Sequence, residues 1–250
     1  MIRFFISVLY LLLYLIITLP LELILFIISR FNRPLSDRIC FFIVKYAGLG
    51  VVTKFSGAKI IVNGLENIPK DTACLFVGNH NSYFDVIISY TLMNRPTGYI
   101  AKKEFEKFPS LHAWMYFIRC LFIDRNDIKQ GMKTILKAVE YLKEGVNIFV
   151  FPEGTRSKDG HMLPFKEGSM KMADRSGCPI IPVAITNTAA IFEKHLPRIT
   201  PETVIFTFCK PVYTKDLKGE DKKHVGQYVQ NIIQEALDNV NAPLLASSSK

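Results

Sequence analysis

The sequence predicts an α/β fold, a mixed, largely parallel sheet flanked by helices, preceded by a membrane-inserted helical element at the N-terminus. Three observations carry this expectation. Five short runs, 74–77, 98–101, 147–151, 180–185 and 204–208, are apolar and rich in β-branched or aromatic residues, as buried strands are. Helical patterns lie between them, and strands alternating with helices favour parallel pairing. Ahead of all of them, residues 4–19 are almost unbroken Leu, Ile, Phe, Tyr and Val.

Taken in order, the first element is that apolar stretch, which resumes over 23–28 after Pro20-Leu21-Glu22. A membrane span needs about 20 apolar residues, and here the apolar run is divided. Two arrangements remain open: one kinked span, or a re-entrant pair of helices in a single leaflet with Pro20 at the turn and Glu22 near the headgroups. A cleaved signal peptide is disfavoured, because no small-residue cleavage site follows. Arg3 precedes the stretch and Arg30, Arg33, Arg38 and Lys45 follow it. The positive-inside bias therefore places the following domain on the cytoplasmic side of the cell membrane. Residues 41–44 and 47–52 are apolar but interrupted by Lys45, and read as an interfacial helix. The expected organisation is an anchoring element over 1–55, an α/β domain over 56–240 and a disordered tail over 241–250. Within the domain, 131–142 places Ile135, Val139 and Leu142 on one helical face, with Gly145 just past the end. Residues 221–237 read as a last helix.

Composition narrows the function classes. A chain of 250 residues with 49% hydrophobic content buries a substantial core. The net charge of +9 suits nucleic acid, an acidic membrane surface or anionic substrates. Nucleic acid is excluded because the aromatics concentrate in the apolar runs rather than among the basic residues. Five widely spaced cysteines without a Cys-x-x-Cys pair argue for reduced, buried thiols, not a disulfide framework or a zinc site. His112, His161, His195 and His224 have no partner spacing and read as surface residues.

Two motifs carry chemistry. His80-Asn81-Ser82-Tyr83-Phe84-Asp85 follows the run at 74–77, so His80 stands at a strand end with a carboxylate five residues on. Imidazole titrates in the range a general base needs, and Asp85 would fix its tautomer and stabilise the imidazolium. The competing reading is a helix cap, with Asn81 or Ser82 capping and Asp85 in the first turn. Phe151-Pro152-Glu153-Gly154-Thr155-Arg156-Ser157 follows a second apolar run. There Gly154 permits close backbone approach, Thr155 offers a hydroxyl, Arg156 can hold an anion bidentately, and Glu153 would orient Arg156 or hydrogen-bond the polar part of a substrate. Ser82 lacks the Gly-x-Ser-x-Gly elbow of a nucleophile, so direct transfer without a covalent intermediate is favoured.

The pair, in this order and at this separation, resembles the glycerophospholipid acyltransferase family, over roughly residues 63–211. The resemblance implies transfer of a fatty acyl group from a thioester, acyl-CoA or acyl carrier protein, to the sn-2 hydroxyl of 1-acyl-glycerol-3-phosphate, giving phosphatidic acid. It also implies that Lys102 or Lys103, in Ala101-Lys102-Lys103-Glu104, and Arg125, in Leu121-Phe122-Ile123-Asp124-Arg125, add positive charge around the acceptor phosphate. Glu153, Gly154, Thr155 and Arg156 would form the phosphate site. No cofactor or metal is implied, and the partners are lysophosphatidic acid, the acyl thioester and the bilayer. The alternatives are another acceptor, glycerol 3-phosphate or a lysophospholipid, or a non-catalytic protein that binds anionic lipid.

Overall fold

The computed structural model of the chain describes the backbone of residues 1–248 and the side chains of residues 1–240, so the tail expected at 241–250 lies outside the residues described in full. The N-terminal region is helical: α1 (Ile2–Ile17), α2 (Leu19–Phe31), α3 (Arg33–Phe42), a π-helical turn (Ile43–Gly48) and α4 (Leu49–Ser56). There follow β1 (Lys59–Asn63), β2 (Leu75–Gly78), α5 (Tyr83–Leu92), β3 (Thr97–Lys102), α6 (Pro109–Phe117), β4 (Leu121–Ile123) and α7 (Ile128–Lys143). The chain continues through β5 (Asn147–Val150), α8 (Lys171–Ser176), β6 (Ile180–Thr186), β7 (Thr203–Phe208), α9 (Gly219–Lys223) and α10 (Val225–Ser248).

The strands form one sheet in the order β1-β7-β6-β2-β5-β3-β4. Every neighbouring pair is parallel except β6 and β7. This is the mixed, largely parallel sheet the sequence predicts, with two strands it does not announce. β1 is an edge strand of alternating exposure with Lys59 and Asn63 at its ends, and β4 is only three residues long. Their apolar runs, Ile60-Ile61-Val62 and Leu121-Phe122-Ile123, are only three residues long, short of a recognisable strand. One face of the sheet packs Phe76, Phe149 and Phe206 against Phe41, Ile88 and Trp114. The other packs Leu75, Val77 and Ile148 against Ala138, Met172 and Val229. Helices on both faces are what parallel strands require, since they bury both sides.

The N-terminal elements are tied to this core. α1 and α2 meet at a 54° bend. The break falls at Thr18 and not at Pro20: Thr18 Oγ1 donates to the Tyr14 carbonyl (2.7 Å) and accepts from Trp114 Nε1 of α6 (3.0 Å). Pro20 lies in the first turn of α2, where its missing N–H costs no helix bond. Glu22, expected near the headgroups in the re-entrant arrangement, accepts from Ser110 Oγ at the start of α6. Residues 33–56 are long and apolar enough to cross a membrane by length and composition. Yet Cys40, Phe41 and Val44 are buried in the sheet's apolar cluster, and Lys45 Nζ donates to the Met93 carbonyl (2.6 Å). The helix expected around Lys45 therefore packs one side on the core while Leu35, Phe42 and Tyr46 stay exposed, and the boundary expected at residue 55 runs through a shared core.

Asp37 of α3 adds a polar tie, accepting from Arg33 Nε (2.9 Å) and, bidentately, from Arg119 Nε (3.0 Å) and Nη2 (2.7 Å). Arg119 enters β4 with a positive φ of 63°, and its carbonyl lies so close to Gly98 of β3 that any Cβ there would overlap it. Helix α7 begins three residues before the expected 131, because the Asp127 carboxylate caps it by accepting from Gln130 N (3.0 Å). The single helix expected at 221–237 is two, broken at His224. The Glu167 carboxylate takes the new N-terminus, accepting from Gly226 N (2.9 Å). Cys40, Cys74, Cys120 and Cys178 are buried and Cys209 half-buried, and burial pushes the Cys74 and Cys120 thiols up to about 12.

Candidate active site

β2, β5, β3 and β4 are adjacent and parallel, so the loops that follow them emerge at one edge of the sheet. The His80 loop follows β2 and the Glu153–Arg156 loop follows β5. Lys102, Lys103 and Arg125 lie at the ends of β3 and β4. Ligand sites in open α/β sheets collect at this edge.

His80 Nδ1 lies 2.8 Å from Asp85 Oδ2. Because the carboxylate only accepts, Nδ1 carries the proton, and Nε2 presents its lone pair. The same Oδ2 accepts the N–H groups of Asn81 (2.7 Å) and Ser82 (2.8 Å), while Oδ1 accepts from the Thr188 hydroxyl. Asp85 is fully buried, and these donors replace its hydration. Ser82 is the N-cap of α5, accepting from Phe84 N (2.9 Å), and completes a capping box with Asp85. The helix cap and the His80–Asp85 pair are thus built from the same residues, and one does not exclude the other. The imidazole stacks on Phe151, with ring centres 4.2 Å apart and planes 20° apart. Phe151 in turn packs on Phe149, at 5.0 Å.

The two loops are stitched together through the backbone of His80. Its N–H donates to Glu153 Oε1 (2.7 Å) and its carbonyl accepts from Ser157 N (2.8 Å). Glu153 Oε2 accepts from Leu163 N (2.9 Å). Glu153 is therefore not the partner of Arg156 that the sequence suggests. It is a buried brace for the His80 loop, and burial raises its carboxyl above the ordinary range despite the two amide donors that oppose the shift. Gly154 adopts φ 75°, and its N–H donates to the Phe151 carbonyl (3.0 Å). That amide is consequently occupied and is not free to serve as an oxyanion donor.

Arg156 is held by a residue the motifs do not contain. Its Nη1 donates to Glu193 Oε1 (2.9 Å), and its guanidinium lies 3.8 Å from the centre of the Tyr83 ring. Thr155 is exposed beside it. Asn81, Thr155, Arg156 and Glu193 border a cavity of about 760 Å³. A larger cavity, about 1090 Å³, is lined by Arg33, Arg95 and Arg119 before the strands begin, at the opposite end of the sheet. The smaller one is the candidate site because it joins Arg156 to the His80 loop. Lys102 and Arg125 are exposed at the same edge, and Lys103 Nζ pairs with Asp124 (3.5 Å). Among the described residues, no hydrogen bond or ion pair joins these three to the His80–Arg156 cluster. Thr188 and Glu193 come from the segment after β6, the other neighbour of β2. Only the strand order, not a local signature, points to them. Of the remaining histidines, His161, His195 and His224 are exposed as expected, whereas His112 is half-buried, edge-on to Phe122 at 4.9 Å.

A family model described as Acyltransferase matches residues 59–186, just over half of the 250-residue chain. A protein from Borreliella burgdorferi named 1-acyl-sn-glycerol-3-phosphate acyltransferase is 34% identical over 155 residues, covering 62% of each chain. A chloroplastic relative of the same activity name from Brassica napus is 35% identical over 136 residues, covering 53% of this chain and 39% of its own. The chain thus spans less than two thirds of the length of these relatives. The crystal structure of the 1-acyl-sn-glycerophosphate (LPA) acyltransferase PlsC from Thermotoga maritima superposes with a TM-score of 0.68 at 27% identity. It covers 91% of this chain and 97% of that one. The matched region carries the His80–Asp85 pair and the Arg156 loop on one sheet edge, and on this evidence the chain belongs to the Acyltransferase family.

Proposed function

We propose that the chain transfers a fatty acyl group from a thioester, acyl-CoA or acyl carrier protein, to the sn-2 hydroxyl of 1-acyl-glycerol-3-phosphate, forming phosphatidic acid. The observation that carries this reading is the buried His80–Asp85 pair sharing a sheet edge with Arg156. His80 Nε2 would take the hydroxyl proton as the oxygen attacks the thioester carbonyl, while Asp85 stabilises the imidazolium. Collapse of the tetrahedral intermediate breaks the C–S bond, and the departing thiolate recovers the proton from the imidazolium. The two substrates supply every reacting atom, so the chemistry needs no metal or cofactor. Arg156, with Thr155, would hold the acceptor phosphate, and Lys102, Lys103 and Arg125 would raise the positive potential along the same edge.

The bilayer enters through α1 and α2. Phe5, Leu9, Leu12, Ile16, Leu23 and Phe26 are all exposed, a continuous apolar surface on two helices bonded to the domain at Thr18 and Glu22. Such a surface supports insertion of the bent pair into the cytoplasmic leaflet, delivering the acceptor to the site along the membrane plane. The test is thiol release by the detergent-solubilised protein with a panel of acceptors. We expect turnover that requires lysophosphatidic acid and falls by about 10²–10⁴-fold in His80→Ala. Preference for glycerol 3-phosphate or lysophosphatidylcholine would overturn the acceptor, and wild-type rates in His80→Ala would overturn the base.

A further inference from the structure

Arg156 does not stand as a free cation. The Glu193 carboxylate meets it at 2.9 Å and is itself pinned by two more donors, the Ser82 hydroxyl (2.7 Å, to Oε2) and the Tyr83 N–H (2.8 Å, to Oε1). It is four-fifths shielded from solvent, with a side-chain exposure of 19%. Part of its task is local, because it accepts the Tyr83 N–H that opens helix α5. The Ser82 side chain already caps Phe84 N, and Asp85 already takes the N–H groups of Asn81 and Ser82. What the contact does is place a fixed negative charge on the guanidinium that would receive the acceptor phosphate, at the border of the 760 Å³ cavity. The other charged side chains bordering that cavity are Lys158, Asp159 and Lys194.

We infer that Glu193 is a positioning residue that tunes acceptor affinity, a resident carboxylate that an incoming phosphate must displace from Arg156. The inference rests on the reading of Arg156 as the phosphate clamp. A phosphate monoester carries up to two negative charges and offers oxygens for bidentate pairing, so it competes well with a single carboxylate. A phosphodiester carries one charge and competes poorly. An acceptor with no anion leaves the Arg156–Glu193 pair intact. The displacement cost is common to every anion that enters, so it sets how tightly an acceptor is held and not which anion is preferred.

The experiment measures binding of inorganic phosphate to the full chain in detergent by calorimetry, for wild type, Glu193→Gln, Arg156→Gln and the double variant. Glu193→Gln keeps the shape and one acceptor oxygen but removes the charge, with Glu193→Ala as a second variant should the first fold poorly. We expect either variant to bind phosphate about five-fold tighter, the scale of a partly exposed ion pair. The gain should vanish when Arg156 is also replaced. In turnover, the KM for lysophosphatidic acid should fall while that for the thioester holds. A purely structural tether would not lower the acceptor KM. Unchanged or weaker phosphate binding in the Glu193 variants, with binding still lost in Arg156→Gln, would overturn the role of Glu193 and leave the clamp standing. Phosphate binding indifferent to Arg156 would overturn both.

Discussion

Asp85 accepts hydrogen bonds from His80, Asn81, Ser82 and Thr188 while wholly buried, so a charge that would be costly alone is fully satisfied. Glu153 has only two amide donors for a similar burial, and its raised carboxyl pKa records the shortfall. A carboxyl whose folded pKa exceeds its unfolded value binds more protons in the folded state, so stability is lost as pH rises through that interval. We therefore expect wild-type stability to decline, relative to Glu153→Gln, as pH is raised from about 4.5, the ordinary value of the group, until the folded carboxyl is ionised. Chemical denaturation at several pH values checks this, and parallel curves would refute it. At this scale the sequence was informative where partners are close in the chain. His80 and Asp85 share one turn of helix and its lead-in, and their spacing was enough to expect the pair. Glu193 lies 110 residues from Tyr83, and nothing in its neighbours' identities announces an anion for Arg156. Glu153 was expected beside Arg156 for want of any sign that the His80 backbone needed an acceptor.

Among the elements, the tie between α3 and the strand β4 shows how the N-terminal helices are fixed. Asp37 receives two arginines, and both Asp37 and Arg119 are almost excluded from water, at 5% and 9% exposure. Replacing Asp37 by Ala would leave the Arg119 charge buried without this carboxylate. We expect a loss of about 3–5 kcal/mol, seen as a lower denaturation midpoint, whereas substitution of the exposed pair Lys137–Glu140 should cost under about 1 kcal/mol. Elements with a sustained period were legible: five of the seven strands and α7 fall where their apolar patterns place them, to within a few residues. Those that escaped lack such a period. β4 is too short, β1 is half-exposed at the sheet's edge, and the helical run at 33–56 hides behind a lysine that the fold bonds to Met93.

For the molecule as a whole, the net charge of +9 and the exposed apolar surface of α1 and α2 would make separable contributions to the proposed membrane binding. The first is screened by salt, at about 1 kcal/mol per basic residue near an anionic surface, and the second is not. We expect co-sedimentation with anionic vesicles to weaken steadily between about 0.05 and 0.5 M salt, down to a plateau set by the helices. Replacing Phe5, Leu9 and Phe26 with Ser should abolish the plateau, and a salt-independent partition in wild type would argue against the basic surface. The bend between α1 and α2 falls at Thr18, within the reach of Pro20, whose ring and missing N–H prevent α1 from continuing, and docking on α6 holds it. The angle of the helix pair is therefore fixed on the domain as well as by the chain.

The aromatic stacking beneath His80 has a further consequence. Phe76 and Tyr99 flank Phe149, Phe149 supports Phe151, and Phe151 supports the imidazole. The ring is the top rung of a ladder that rises out of the sheet, with its Nδ1 side moored to Asp85. Stacked on one face and moored at Nδ1, the ring is held by two independent contacts. In the proposed reaction, a ring so held would leave the search for reactive alignment to the substrates, which would come to a fixed nitrogen at the rim.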